Sequence, residues 1–329
     1  MTAVWDGPHL FASRSGKRPY YVYTPAGYKT GMSVPLLVML HGCTQTPRVS
    51  AIATQWNDLA DEHNIVVVYP AQTIQVLGIT ASADQPTGDQ LDQCWTDGNG
   101  DHCWNWFLPG HQERDAGEPG IIAGITRAVM ADTERWTIDP RRVYVAGMSA
   151  GGGMAVVLGA TYPDLFSGVA VHSGLEYKAA TNGSDATQIL VKGGPDPVGQ
   201  GEQAFRAMGN QARLMPVIVI HGSEDRRNIA YNGELVVRQW LETNRLASDG
   251  DFTAEFDQPA IDVRYGEPMQ GGHPYRVRRW TGRAGKVVQE YWTVDGLAHA
   301  WSGGYWLGSF ADPRGPSASR AMYAFLFRQ

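Results

Sequence analysis

Short, almost continuous runs of branched aliphatic residues recur along the chain. They read PLLVML at 35–40, IVVVYP at 65–70, RVYVAG at 142–147, FSGVAVHS at 166–173 and PVIVIHG at 216–222. Runs that are apolar at successive rather than alternate positions predict strands covered on both faces. Longer segments of helical type lie between them, at roughly 50–63, 120–135, 150–162 and 231–246. KVVQEYWTV at 286–294 predicts a last strand, and SASRAMYAFLF at 317–327 a closing helix. Strand alternating with helix predicts an α/β fold, with a mostly parallel central sheet and helices on both faces.

Two stretches break this rhythm. Residues 71–119 are rich in Gly, Asp, Gln and Trp, and residues 174–200 carry NGSD and GGPDPVGQG. Loops this long inside a compact domain are usually functional. There is no internal repeat and no flexible linker, so residues 1–329 are expected to form one domain with these two insertions.

Composition narrows the classes of partner. The chain has 329 residues, 18% of them charged, and a formal net charge of −6. That balance argues against nucleic acid as a partner. No apolar run reaches the roughly 18 residues that a membrane span needs, so no membrane partner is expected. The N-terminus lacks a basic stretch followed by an apolar one. A cytoplasmic protein is expected if Met1 is the native start, and an extracellular or periplasmic one if a leader has been removed. Three cysteines, Cys43, Cys94 and Cys103, are too few for a disulfide scaffold and lack zinc-site spacing.

Gly147-Met148-Ser149-Ala150-Gly151 matches G-x-S-x-G directly after one expected strand and before an expected helix. A nucleophile elbow needs that setting, with glycines where side chains would block the turn. A serine hydroxyl also needs a base, and a third group to orient the base. In hydrolases of this type the chain order is serine, acid, histidine. Asp225 lies one short turn beyond the 216–222 run, with Glu224 as its competitor. Only His273 and His299 follow. His273 precedes the 286–294 run and His299 follows it, so His299 is the expected base. The Ala150 amide and the Cys43 amide, in the loop after 35–40, are the expected oxyanion donors. His41 and His221 read as structural. No metal or cofactor is expected: DGNGD at 97–101 lacks the full spacing of a calcium loop, and GQGEQA at 199–204 has no strand leading into it.

Five motifs occur together and in order: LHGCTQ (40–45), CWNWF (103–107), GEPGIIAGITR (117–127), GMSAGG (147–152) and GLAHAWSGG (296–304). On these the sequence resembles the polyhydroxybutyrate (PHB) depolymerase-like esterases of the α/β-hydrolase superfamily. The resemblance implies an α/β-hydrolase fold and a serine hydrolase working through an acyl-enzyme. Ser149, Asp225 and His299 would be the triad, with the Cys43 and Ala150 amides as oxyanion hole. Trp301 would line the substrate cleft, and Trp104 and Trp106 would form another wall or pack the long loop. A Cys43–Cys103 bridge fits the family, with Cys94–Cys103 as the local alternative. No separate polymer-binding domain is expected.

The implied partner is a polymeric or oligomeric ester or amide, such as poly(3-hydroxybutyrate) or its oligomers. Feruloyl and acetylxylan esters are alternatives. Arg226 and Arg227 beside Asp225, with Arg276, Arg278, Arg279 and Arg283 upstream of His299, suggest an arginine-rich cleft for poly(aspartic acid). The other reading of these arginines is a solvated strand face. A homodimer is left open. The non-enzyme alternative, an inactive binding protein on the same fold, is opposed by the intact serine, aspartate and histidine.

Overall fold

The runs expected to be strands lie side by side in one ten-stranded sheet. The computed structural model describes residues 2–76, 79–82 and 101–327. An antiparallel pair, β1 (Val4–Ser13) and β2 (Gly16–Thr24), begins the chain. Next come β3 (Ser33–Leu40), α1 (Pro47–Thr54), α2 (Trp56–His63) and β4 (Val66–Pro70), then a hairpin of β5 (Thr73–Val76) and β6 (Ile79–Ser82). The middle of the chain forms α3 (Gly117–Ala131), β7 (Thr137–Met148), α4 (Ala150–Thr161), β8 (Gly168–His172), α5 (Gly183–Lys192), α6 (Pro197–Met208), β9 (Val217–Gly222) and α7 (Ala230–Leu246). It closes with β10 (Ile261–Tyr265), β11 (Tyr275–Thr281), β12 (Val287–Val294), the short pair β13 (Trp301–Ser302) and β14 (Ala311–Asp312), and α8 (Ala318–Leu326).

The sheet order is β1-β2-β4-β3-β7-β8-β9-β12-β11-β10. The stretch from β4 to β12 is parallel throughout, and both edges are antiparallel. Residues of one strand alternate between two cores. Leu36, Val38 and Leu40 join α3, α4, α6 and α7 on one face. Leu37 and Met39 join α1, α2 and α8 on the other. Burial on both faces is why the central runs are apolar at every position. The α/β-hydrolase class expected from the sequence is the fold observed.

Three expectations need correction. The single helix expected at 50–63 is two helices, broken at Gln55, which takes the left-handed conformation at φ 56°. The 174–200 insertion is largely helical, holding α5 and the start of α6. Its polar residues are helix caps: Asn182 accepts from the Asp185 amide, and Asp196 from the Val198 and Gly199 amides. The strands expected from the sequence omit β10, an edge strand exposed at every position. Cys94 and most of the DGNGD stretch lie outside the described residues.

Candidate active site

Parallel strands deliver their following loops to one edge of the sheet, where ligands of such folds bind. β3, β7, β9 and β12 each end there in a segment that carries a candidate residue.

Ser149 joins β7 to α4 with φ 56° and ψ −121°, a region that costs on the order of 1–3 kcal/mol for a residue with a Cβ. The turn is over-determined. The Ser149 amide donates to the His172 carbonyl of β8 at 2.9 Å, and the Gly153 amide donates to the Ser149 carbonyl at 3.0 Å. The flanking glycines are required by close approach. A Cβ at 147 would stand 2.1 Å from the Gly151 carbonyl oxygen, and one at 151 would stand 2.4 Å from that of Leu40. Gly-x-Ser-x-Gly therefore lets β3, β7 and α4 converge under the serine.

Asp225 is 3% exposed, just beyond β9. Its Oδ1 accepts from the Arg227 and Asn228 amides at 3.0 and 2.9 Å, and its Oδ2 from His299 Nδ1 at 2.7 Å. Burial alone would push this carboxyl up. Hydrogen bonds and charge from His221 and His299 outweigh burial and hold it well below the usual carboxylate range. Glu224 points outward, 3.7 Å from Arg226. His221 is buried and structural: Nε2 donates to the Asn228 carbonyl at 2.8 Å. Asn228 Nδ2 in turn donates to the Ser173 and Gly174 carbonyls, tying the acid's loop to the segment after β8. His172 is held down to about 3, first by burial and then by the charges of His221 and His299. The neutral ring accepts from the Ser302 amide at 3.1 Å and so fixes the loop that carries His299. Nothing in the sequence pattern singled out His172 or Asn228.

The loop after β3 is pinned from several sides. His41 Nδ1 donates to the Gly42 carbonyl at 2.8 Å, and its Nε2 accepts from the Gln72 amide at 3.1 Å. Gln45 Oε1 accepts from the Gly42 amide at 2.9 Å, while its Nε2 donates to the Ser309 carbonyl at 2.8 Å. A disulfide joins Cys43 to Cys103. Fully buried Glu118, from GEPGIIAGITR, accepts from the Asn105 amide at 2.7 Å and pairs with Arg18 at 3.0 Å, anchoring the CWNWF segment behind the loop. Neither the Cys43 nor the Ala150 amide donates to a protein acceptor among the described residues. Gln45 was visible only as part of LHGCTQ, with no role attached.

Ser149 and His299 line one cavity of about 230 Å³, with Cys43, Gln45, Leu190, Arg227 and Phe310. The Ser149 hydroxyl makes no hydrogen bond among the described residues; a nucleophile–base contact commonly tightens only around substrate. With Nδ1 held by a carboxylate, Nε2 of His299 is the atom left to take a proton. A larger cleft of about 700 Å³ includes Arg141, Arg213 and Lys286, but no histidine lines it.

Of the aromatic and basic residues weighed for the cleft, Arg227 lines the cavity, Trp104 and Trp106 pack the long loop, and the others lie elsewhere. Trp301 is 1% exposed, stacked on His172 with centroids 4.9 Å apart, and its Nε1 donates to Ser319 Oγ. It packs beneath the site, because strand β13 turns it inward beside His299. Trp104 and Trp106 are likewise buried. The first donates to the His41 carbonyl at 3.1 Å, and the second lies against Gly153. Both pack the long loop and form no cleft wall. The arginine-rich cleft is absent among the described residues. Arg276 binds Asp262 at 2.6 Å, Arg279 binds Glu290 at 2.7 Å, Arg283 lies 3.5 Å from Asp251, and Arg278 stacks over Phe256. Arg226 is 90% exposed and does not line the cavity; Arg227 does.

The model of the family described as esterase PHB depolymerase matches residues 18–77 and 93–255. The chain is 30% identical to poly(3-hydroxyalkanoate) depolymerase C of Paucimonas lemoignei over 291 residues, covering 88% of this chain and 60% of that one. It is 26% identical to poly(3-hydroxybutyrate) depolymerase of Ralstonia pickettii over 318 residues, covering 92% of this chain and 56% of that one. The chain thus spans well under two thirds of these relatives' lengths. The acetyl xylan esterase from Aspergillus awamori shares the fold, with a TM-score of 0.68 at 17% identity over 91% of this chain and 94% of that one. With the family model matching most of its length, and its elbow, disulfide and carboxylate-bound histidine at one edge of the sheet, the chain belongs to the esterase PHB depolymerase family.

Proposed function

We propose that this chain is a serine-dependent carboxylic ester hydrolase acting on polyesters of hydroxyalkanoic acids or their oligomers. The observation that carries the reading is the 2.7 Å bond from His299 Nδ1 to Asp225 Oδ2, in a histidine that shares a cavity with Ser149. Ser149 Oγ attacks the ester carbonyl while His299 Nε2 takes its proton. Asp225 fixes the tautomer and stabilises the imidazolium. The Cys43 and Ala150 amides receive the oxyanion. The C–O bond then breaks, and His299 returns the proton to the leaving alcohol. Water, deprotonated by His299, attacks the acyl-serine and releases the acid and Ser149. The relatives named poly(3-hydroxyalkanoate) and poly(3-hydroxybutyrate) depolymerases support the polyester class.

The Cys43–Cys103 bridge supports an oxidising compartment as the place of action. No helix among the described residues is long and apolar enough to cross a membrane.

The test is Ser149→Ala, assayed on a p-nitrophenyl ester and on amorphous poly(3-hydroxybutyrate). The expected loss in kcat is on the order of 10⁶, as in a comparable triad. A serine-directed phosphonate should add to Ser149 of the folded wild-type protein. Full activity in the variant, or no adduct, removes the proposal.

A further inference from the structure

We propose that Arg227 anchors a free carboxylate on the substrate, so that the site takes hydroxyacid oligoesters at their carboxyl end. This rests on the ester-hydrolase reading above and narrows its substrate. Among the described residues, Arg227 is the one Arg, Lys, Asp or Glu side chain lining the cavity that holds Ser149 and His299. The remaining lining is partly apolar, with Leu190, Met148 and Phe310 among it. Among the described residues no carboxylate pairs with the Arg227 guanidinium. Other arginines have carboxylate partners, Arg226 with Glu224, Arg276 with Asp262 and Arg279 with Glu290.

The guanidinium is also positioned. Its Cζ lies 5.2 Å over the Phe310 ring, a cation–π contact that holds the charge beside the cavity. Its backbone amide donates to Asp225 Oδ1, so the anchor and the acid belong to one turn. A guanidinium edge matches a carboxylate in two parallel hydrogen bonds.

The chemistry of an oligoester says where that carboxylate must be. The free carboxyl belongs to the terminal hydroxyacid, whose hydroxyl is the alcohol of the last ester bond. When Ser149 attacks that bond, the carbonyl–oxygen bond breaks. The departing alkoxide takes the proton from His299, and the product leaving the Arg227 side is a hydroxyacid anion. Substrate and product both carry the group that Arg227 binds. A neutral stretch in the middle of a polymer does not.

The experiment compares kcat/KM for the 3-hydroxybutyrate dimer as free acid and as methyl ester, in wild type, Arg227→Gln and Arg227→Lys. The acid-to-ester ratio should fall about tenfold to a hundredfold in Arg227→Gln, the range of a charge-assisted hydrogen bond. It should recover in part in Arg227→Lys. An unchanged ratio overturns the anchor. Calorimetry of the free-acid dimer on Ser149→Ala, with and without Arg227→Gln, gives a readout independent of turnover. Binding that weakens with Arg227→Gln supports the anchor even if no ester is hydrolysed, in which case only the hydrolase reading falls. Equal binding overturns the anchor even where hydrolysis is intact.

Discussion

The Nδ1 atom of His299 and the Oδ2 atom of Asp225 stand 2.7 Å apart, although 74 positions separate the residues in sequence. The other carboxylate oxygen is held by two backbone amides. In Asp225→Asn those amides would keep the side-chain oxygen, turning the NH₂ group toward His299 and forcing the wrong tautomer. We expect kcat to fall by about 10⁴, the scale found for the same change in another triad, with KM little altered. Steady-state kinetics check this; near wild-type kcat would show that the pair is not part of the reaction.

Gln45 links the Gly42 amide to the Ser309 carbonyl, 264 positions away. It lines the cavity and holds the proposed oxyanion loop against the segment beside His299. Gln45→Ala should lower kcat about a hundredfold, the scale of a small misplacement at the site. KM should move far less. Gln45→Glu should not rescue, because it cannot donate to Ser309. A purely structural role would instead lower melting temperature and leave kcat per folded molecule intact.

The bridge between Cys43 and Cys103 spans 60 residues. Cys103→Ser should cost about 2–5 kcal/mol of stability, the usual range for losing a native disulfide. It should also reduce kcat, because the Cys43 amide loses a tether. Calorimetry and kinetics with and without reductant measure both; reductant should affect wild type and leave Cys103→Ser as it was.

Glu176 is buried, and among the described residues neither carboxylate oxygen has a hydrogen-bond partner. Burial, then the charge of Asp196, pushes its carboxyl up to about 8 from 4.5. Between about pH 4.5 and 8 the folded state therefore holds a proton that the unfolded chain has released. The stability this supplies is complete below about 4.5, declines as pH rises, and is gone above about 8. Glu176→Gln should raise melting temperature by a few degrees at pH 9 and have little effect at pH 4. Equal shifts at both pH values would contradict the assignment.

Trp301 lies beside the proposed base but faces inward, against His172 and Ser319. Trp301→Phe keeps part of the stack and leaves the Ser319 hydroxyl without its indole partner. We expect a destabilisation of about 1–3 kcal/mol and an unchanged ranking of ester substrates. A reordered substrate panel would put the indole back in the cleft.

How far the sequence could be read follows from what each residue's role depends on. The central strands were legible because burial on both faces writes itself into β3, β4, β7, β8 and β9 as unbroken apolar runs. Edge strand β10 was not, because it buries nothing. Ser149, Asp225 and His299 could be singled out as candidates because each follows a recognisable strand. The facing of a side chain could not. Trp301 and Arg227 sit equally close in sequence to candidate residues, yet one turns into the core and the other into the cavity. That choice is made by tertiary partners, His172 for one and Phe310 for the other.

The Gln72 side chain donates to the Cys103 carbonyl at 2.9 Å. The chain therefore departs from and returns to a single stitched point, with Glu118 and the Cys43 bridge reinforcing it. Closure cost grows only slowly with the length of an excursion whose ends are already joined. The Gln72–Cys103 joint thus marks a splice port, a place where foreign sequence, even a folded module with adjacent termini, can be grafted. The loop carrying the Cys43 amide keeps its Gln45 and disulfide anchors through such a graft, provided Asp101, whose carbonyl accepts from the Thr44 amide at 2.6 Å, is retained.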